Sequence, residues 1–423
     1  MGPLPRRPTP DTGRDLDLDG DGFADLVHEI SATENFDLFV VPGSQQGPNP
    51  SRTTVFAHDQ LGVPHDVQRG DDPAQPTVAD LDEDGHPDLV VSGAAQILWG
   101  GADGPRIGGA HGRVPLPGSG YSTAPVAGDF DGDGHSDLAV FRGSNEAAEL
   151  VVLKGPFRRS GAPARTVEIP SPVHKGASPT LVAGDANDDR STDLSLYGSP
   201  WDPPLLFTGG ARTAGGLSTE PERLPEGENV VFGDFDGDGR QDIAMGRSFV
   251  DSYDEVDTPH RRGQVSVRYG KEPGVWVTMD GGDFKEGFGA RLAVGDLNGD
   301  GCDDLAVQLT RKKEAGDARI EVLRGGSEHG LGSKPWRSTK PFVPGVGGVG
   351  GQGGPDGSGG RDGSGGPDGS GGPGSGTLFA VHDWDGDGRA ELTLLGEDRW
   401  WITDGTGRGE KSFPITPSKG QSG

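Results

Sequence analysis

The 423-residue sequence has one cysteine, Cys302. That excludes an intrachain disulfide framework, and the lone thiol reads as a tolerated loop residue. Hydrophobic residues reach only 31% and aromatics 6%, too little for one large conventional core. No apolar run is long enough to span a bilayer. The opening MGPLPRRPTPDTGRD carries arginines but no apolar leader segment. Positive charge is also scarce, with 38 basic against 66 acidic residues and a net charge of −28. No basic stripe exists to hold nucleic acid. HExxH, GxSxG, Walker loops and cysteine–histidine pairs of recognisable spacing are all missing, and the ten histidines are scattered. No catalytic residue and no residue for an organic cofactor is expected.

What the chain has instead is glycine, proline and regularly placed acid, with 77 glycines and 35 prolines. The stretch 288–307, FGARLAVGDLNGDGCDDLAV, shows the unit most fully. An apolar run leads into Asp296, Asn298, Asp300 and Asp304, and a second apolar run follows. Oxygen side chains at alternate positions, a glycine at the sixth and a closing carboxylate can wrap a hard cation, and calcium takes six to eight oxygens. Gly301 makes the turn, and Cys302 would offer its carbonyl oxygen. An EF-hand is excluded: position twelve is Val307 rather than glutamate, and the flanks read as strands, not helices.

The nonapeptide recurs. Its copies supply Asp17, Asp19, Asp21 and Asp25; Asp80, Asp82, Asp84 and Asp88; and Asp129, Asp131, Asp133 and Asp137. Next come Asp185, Asn187, Asp189 and Asp193, then Asp234, Asp236, Asp238 and Asp242. The unit at 296 follows, and the last copy gives Asp383, Asp385, Asp387 and Glu391. These seven copies are the expected metal sites, with up to seven structural Ca2+ ions, which would add about +14 of charge. Starts lie 49 to 87 residues apart, and self-similarity at such a period indicates a propeller, solenoid or array.

Strand-like runs surround each loop. Leading strands are expected at 76–79, 124–128, Thr180–Gly184, Asn229–Gly233, 291–295 and Thr377–His382; only 14–16 precede the first loop. A second strand follows each loop. A third ends in a glycine turn, as in LVVLKG at 150–155 and VSVRYG at 265–270. A fourth is clearest in GVWVTM at 274–279. Four antiparallel strands per repeat make a propeller blade. The expected fold is all-β: a seven-bladed β-propeller of four-stranded antiparallel blades with a calcium loop in each. The expected layout is a disordered tail at 1–14, the propeller at 15–416 and a short tail at 417–423. Two insertions interrupt the spacing, the acidic 249–262 and the Gly-rich 344–376. The second reads as a flexible loop. The run 411–415 is either blade seven's last strand or the strand that closes the ring against blade one.

FGARLAVGDLNGDGCDDLAV resembles an FG-GAP repeat, the unit of the integrin alpha-subunit propeller and of many bacterial secreted proteins. Copies such as VAGDFDGDGHSDLAVF are similar to the related VCBS repeats. The resemblance runs over about residues 15–416 and implies a seven-bladed propeller with calcium loops on one face. Three copies depart from the pattern. Arg190 stands where glycine is expected, so strain and a positive charge weaken that site. Glu391 replaces the closing aspartate with a longer arm. Pro87 restricts the second loop, at a position expected to need no donor.

Two functions remain. One is a non-catalytic extracellular binding or adhesion module for a protein or glycan ligand, expected to be monomeric, with its partner on the face opposite the calcium loops. The other is a carbohydrate-active propeller: a lectin, or a calcium-dependent polysaccharide lyase or hydrolase. Trp400 and Trp401, adjacent on one strand and so on opposite faces, read as packing or as a sugar platform. Trp384 reads as packing, and His86 and His135 as solvated side chains. Extracellular calcium modules bind at about 10⁻⁴–10⁻³ M, so the expected home is outside the cell or on its surface, with a leader upstream of the residues read here.

Overall fold

In the computed structural model the described residues are 16–32, 35–61, 76–91, 96–105, 111–113, 121–122, 124–143, 148–170, 173, 179–198, 202–210, 215–248, 263–272, 274–280, 287–309, 319–331, 377–396, 399–404 and 411–415. They form seven antiparallel sheets, one for each acidic loop. Both insertions and both tails lie outside the described residues.

Blade two shows the order: Thr77–Ala79, then the loop, Asp88–Val91, Gln96–Leu98 and His111–Arg113, each strand pairing with the one before. Blades four, five and seven also have four strands. In blade three the leading strand comes in two pieces, Tyr121–Ser122 and Val126–Gly128, both paired with Asp137–Gly143. Expected leading strands match the observed Thr180–Gly184, Asn229–Gly233 and Thr377–His382. Blades one and six depart from the four-stranded expectation, with three strands each among the described residues. Blade one starts directly at Leu26–Ala32, consistent with the short lead-in before Asp17.

The low apolar content is used on both faces of each sheet. Leu89 and Val91 enter a core shared with blade one, whereas Val90 between them enters the core shared with blade three. The same division recurs around the molecule, giving seven clusters, one between each pair of neighbouring blades. Successive strand residues point to opposite faces, so four or five consecutive apolar residues serve two cores. Full burial of a Val, Leu or Phe side chain stabilises by about 1.5–3 kcal/mol. The inner strands therefore supply interblade adhesion without a central core.

The seventh cluster closes the ring. Trp384, Trp400, Ile402 and Phe413 of blade seven pack with Ala24, Leu26 and Val41 of blade one. Trp400 meets the His28 ring edge-on at 4.7 Å, and His28 stacks on Phe39 at 4.8 Å. Lys411–Pro414 pairs with Arg399–Thr403. It is blade seven's fourth strand, and among the described residues side chains rather than a shared strand join the ends. Among the described residues no helix is long and apolar enough to cross a membrane.

Candidate metal centres

Each acidic loop is built by the same hydrogen bonds. The first-position carboxylate accepts from the backbone N–H groups of positions five and six. In blade one, Asp17 accepts from Asp21 at 3.0 Å and Gly22 at 2.9 Å; in blade seven, Asp383 accepts from Asp387 at 3.2 Å and Gly388 at 2.9 Å. The fifth-position carboxylate accepts from the N–H of position seven, as Asp133 does from His135 at 3.0 Å. Positions four and six both take left-handed backbone. Glycine fills both in five loops, the residue for which that conformation is least costly.

The ninth-position carboxylate joins the loop to its blade. Asp25 accepts from Leu18 N at 2.9 Å and from Gly43 N, the glycine ending the third strand, at 2.8 Å. Asp88 does the same with Leu81 and Gly100, and Asp242 with Phe235 and Gly270. The glycine is needed for space. A Cβ on Gly100 would lie 2.1 Å from the carbonyl oxygen of Pro87, and one on Gly325 would lie 2.2 Å from that of Asp303. Sequence reading located these glycines as turns; their actual work is close approach to the loop.

The loops also bind to the next blade. Position two always enters the following interblade core: Leu18, Leu81, Phe130 and Phe235 do so fully buried. Trp384 does so across the closing seam and donates its Nε1–H to Thr393 Oγ1 at 2.8 Å. The position-one carbonyls of Asp129, Asp234 and Asp296 accept from Thr192, Asp303 and Ala390 of the next blade's loop, at 2.7–2.9 Å. Those donors sit at position eight, so the expectation that this position needs no donor is corrected: Pro87 forgoes a bond used elsewhere. His135 is likewise not simply solvated. It pairs with Glu83 of the preceding loop, a hydrogen bond that raises the imidazole's pKa.

The expected ligands converge in five loops. Single oxygens of Asp17, Asp19 and Asp25 lie within 4.8 Å of one another. So do those of Asp80, Asp82 and Asp88; of Asp129, Asp131 and Asp137; of Asp234, Asp236 and Asp242; and of Asp383, Asp385, Asp387 and Glu391. Asp21, Asp84, Asp133 and Asp238 fall outside these clusters and serve the loop backbone. Asn187 and Asn298 hold position three in the other two loops. Asn187 Oδ1 accepts from Asp189 N at 2.9 Å, beside Asp185 and Asp193. Asn298 turns Nδ2 toward Asp304 at 3.4 Å, and its amide would have to rotate to offer oxygen beside Asp296 and Asp300.

Do these cages suit a hard divalent cation? Asp82, Asp131 and Asp385, the third-position residues of three clusters, each keep a buried Oδ1 with no hydrogen-bond partner. A buried carboxylate oxygen left without a partner is costly, and a bound cation would satisfy it. The donor set, all oxygen, is the one calcium takes. Burial also pushes the ninth-position acids up, to about 7 for Asp25, Asp193, Asp242, Asp304 and Glu391 and about 6 for Asp88, against backbone N–H donors that pull the other way.

Sequence reading flagged strain at Arg190, and its φ is +76°. It missed Asp188 at position four, with φ +56°. The signal was available in the glycines at 20, 132, 237, 299 and 386. Cys302 is buried, which raises its thiol to about 11 and keeps it protonated. Trp400 packs toward blade one and Trp401 toward blade six, so both faces of that strand are used in cores.

An FG-GAP repeat family model matches residues 227–267 and 288–308, the loops and strands of blades five and six. Blades five and six of this seven-bladed propeller thus carry FG-GAP repeats. Its seven sheets fit an integrin alpha-like propeller of this type. No curated protein matches the chain. Among solved structures, the crystal structure of the V. cholerae biofilm matrix protein Bap1 is similar at 12% identity, with a TM-score of 0.34, over 94% of this chain and 79% of that one.

Two predictions follow from the loop geometry. Arg190→Gly removes a Cβ from left-handed backbone, a conformation that costs about 1–2 kcal/mol, so the thermal midpoint should rise; a lower midpoint would contradict the strain. In chelator, the buried acids have folded pKa values above the ordinary 3.8, so they bind protons more readily when folded. Metal-free stability should therefore increase as pH falls from about 7 toward 4. His28, buried and lowered to about 3, acts in the opposite sense, but six acids outnumber it. Thermal melts in chelator at pH 7.5 and 5.5 check the sign, and a lower midpoint at pH 5.5 would reject it.

Proposed function

We propose that this FG-GAP propeller is a calcium-binding, non-catalytic binding or adhesion module that works outside the cell. The observation that carries the reading is the buried, unpartnered third-position oxygen of Asp82 and of Asp385, each within a convergent acid cluster. Calcium acts structurally in it. The ion joins the loop's first, third and ninth positions, and those positions already join first strand, third strand and next blade. One ion thus stiffens a blade and its seam. The 185–193 loop, with two non-glycine residues in left-handed backbone and Arg190 at its turn, is the weakest expected site. Sites of extracellular affinity, about 10⁻⁴–10⁻³ M, fill only where calcium is abundant.

Strand direction supports a ligand face opposite the acidic loops. Acidic loops connect first to second strands. Connections from second to third strands, and from one blade to the next, emerge at the other end of an antiparallel sheet. The insertion 249–262 lies between Asp242–Arg247 and Gln264–Arg268 of blade five. The insertion 344–376 lies between blade six's Arg319–Leu323 and blade seven's Thr377–His382. The first therefore connects strand ends opposite the acidic loops, and the second leads into the start of Thr377–His382, at that same end of blade seven; long connecting segments on a rigid scaffold are where binding residues concentrate.

The test is retention on arrays of immobilised glycans and matrix proteins, with the full chain and a variant lacking both insertions. The expected result is at least a tenfold loss of retention at unchanged calcium content and thermal midpoint. Equal retention would overturn the face assignment. Ultraviolet-absorbing unsaturated products released from acidic polysaccharide would overturn the non-catalytic reading in favour of a lyase.

A further inference from the structure

Blade three's acidic cage already contains a cation. Lys154 ends the strand Ala148–Lys154, immediately before Gly155, whose N–H donates to Asp137 Oδ1 at 2.9 Å. The Lys154 ammonium lies 2.7 Å from Asp131 Oδ2 and also pairs with Asp137 Oδ2. Those are the third and ninth positions of the loop, two of the three residues that converge there. Lys154 is only 7% exposed.

Cations approach other loops differently. Arg159 reaches Asp82 and Asp84 of blade two, at 2.6 and 2.5 Å, but is half exposed. Lys271 reaches Asp236 of blade five with 46% of its side chain exposed. Arg52 stands 3.5 Å from Asp19 and is more exposed still. Each can turn into solvent at small cost, because an exposed ion pair is worth little. Lys154 cannot turn out in that way. Its stem is fixed by a strand whose Val152 and Leu153 are fully buried on the two faces. In other blades the residue preceding the clasping glycine is Pro42, Trp99, Thr208, Tyr269 or Arg324, and Arg324 is exposed.

We propose that Lys154 is the resident cation of blade three, a tethered ammonium that takes the place calcium takes in the other loops. Calcium could enter only by displacing the ammonium. It would then stand close to a divalent ion inside the protein, without its carboxylate partners, and an unpaired buried charge is strongly unfavourable. The ammonium neutralises less charge than calcium would, and Asp131 Oδ1 stays unpartnered. The blade accordingly keeps its clasp without metal, and remains assembled when calcium is withdrawn. This inference rests on the calcium reading of the remaining loops.

The experiment counts calcium per chain in the whole protein after equilibrium dialysis. Four chains are compared: wild type, Lys154→Met, Asp129→Asn, and Lys154→Met with Asp129→Asn. Asp129 is the cage residue that the ammonium does not touch. The expected pattern is one additional ion in Lys154→Met, its loss in the double variant, and no change in Asp129→Asn alone. Loss of an ion in Asp129→Asn alone, or equal counts in wild type and Lys154→Met, would overturn the proposal. Folding is checked by thermal melts in chelator, where Lys154→Met should melt below wild type and recover on adding calcium. A wild type that binds no calcium anywhere would instead defeat the calcium reading. Lys154 is then judged by the chelator melts alone: an unchanged midpoint in Lys154→Met overturns its role as resident cation, and a lowered one that Asp131→Asn reduces supports it.

Discussion

A buried carboxylate at the ninth loop position holds the repeating unit together. It accepts one N–H from inside its own loop and another from the glycine that ends the third strand. Asp25, Asp88, Asp137, Asp193 and Asp242 all make this pair of bonds. Three strands are tied at one point as a result. The arrangement needs a residue without Cβ on one side and a charge buried on the other. That charge is stable only with strong compensation, which backbone donors supply in part and a cation would supply more fully.

The clasp is repeated around a ring that has no central core. Each inner strand divides its apolar residues between two interblade clusters, and position two of each acidic loop adds an anchor to the cluster ahead of it. Loop, clasp and seam form one mechanical chain. This explains how a sequence so poor in apolar residues can build a large domain: its surfaces are covered by neighbouring blades, and its acids are placed where they organise backbone.

Much of this was legible because the loops and strands are local patterns. Alternating acids, a glycine and flanking apolar runs located every loop, and strands such as Thr180–Gly184 and Asn229–Gly233 were found to the residue. What escaped depends on partners distant in sequence. The third-strand glycines could be seen, but not the carbonyls 2.1–2.9 Å from where a Cβ would stand. Lys154 reads as an ordinary strand lysine until the fold brings it against Asp131. Blade seven's last strand could not be assigned from 411–415 alone, since either neighbour would have satisfied its pattern. Position four needed left-handed backbone in all seven loops, yet Glu83 and Asp188 obscured the glycine signal.

The central claim is that cations hold these loops, and through them the ring. The most direct measurement is thermal unfolding of the full chain in saturating calcium and then in excess chelator, with bound metal counted on the same samples. The account predicts a large fall in the midpoint on chelation and five or six ions per chain. A midpoint unmoved by chelator, with little or no metal bound, would contradict it.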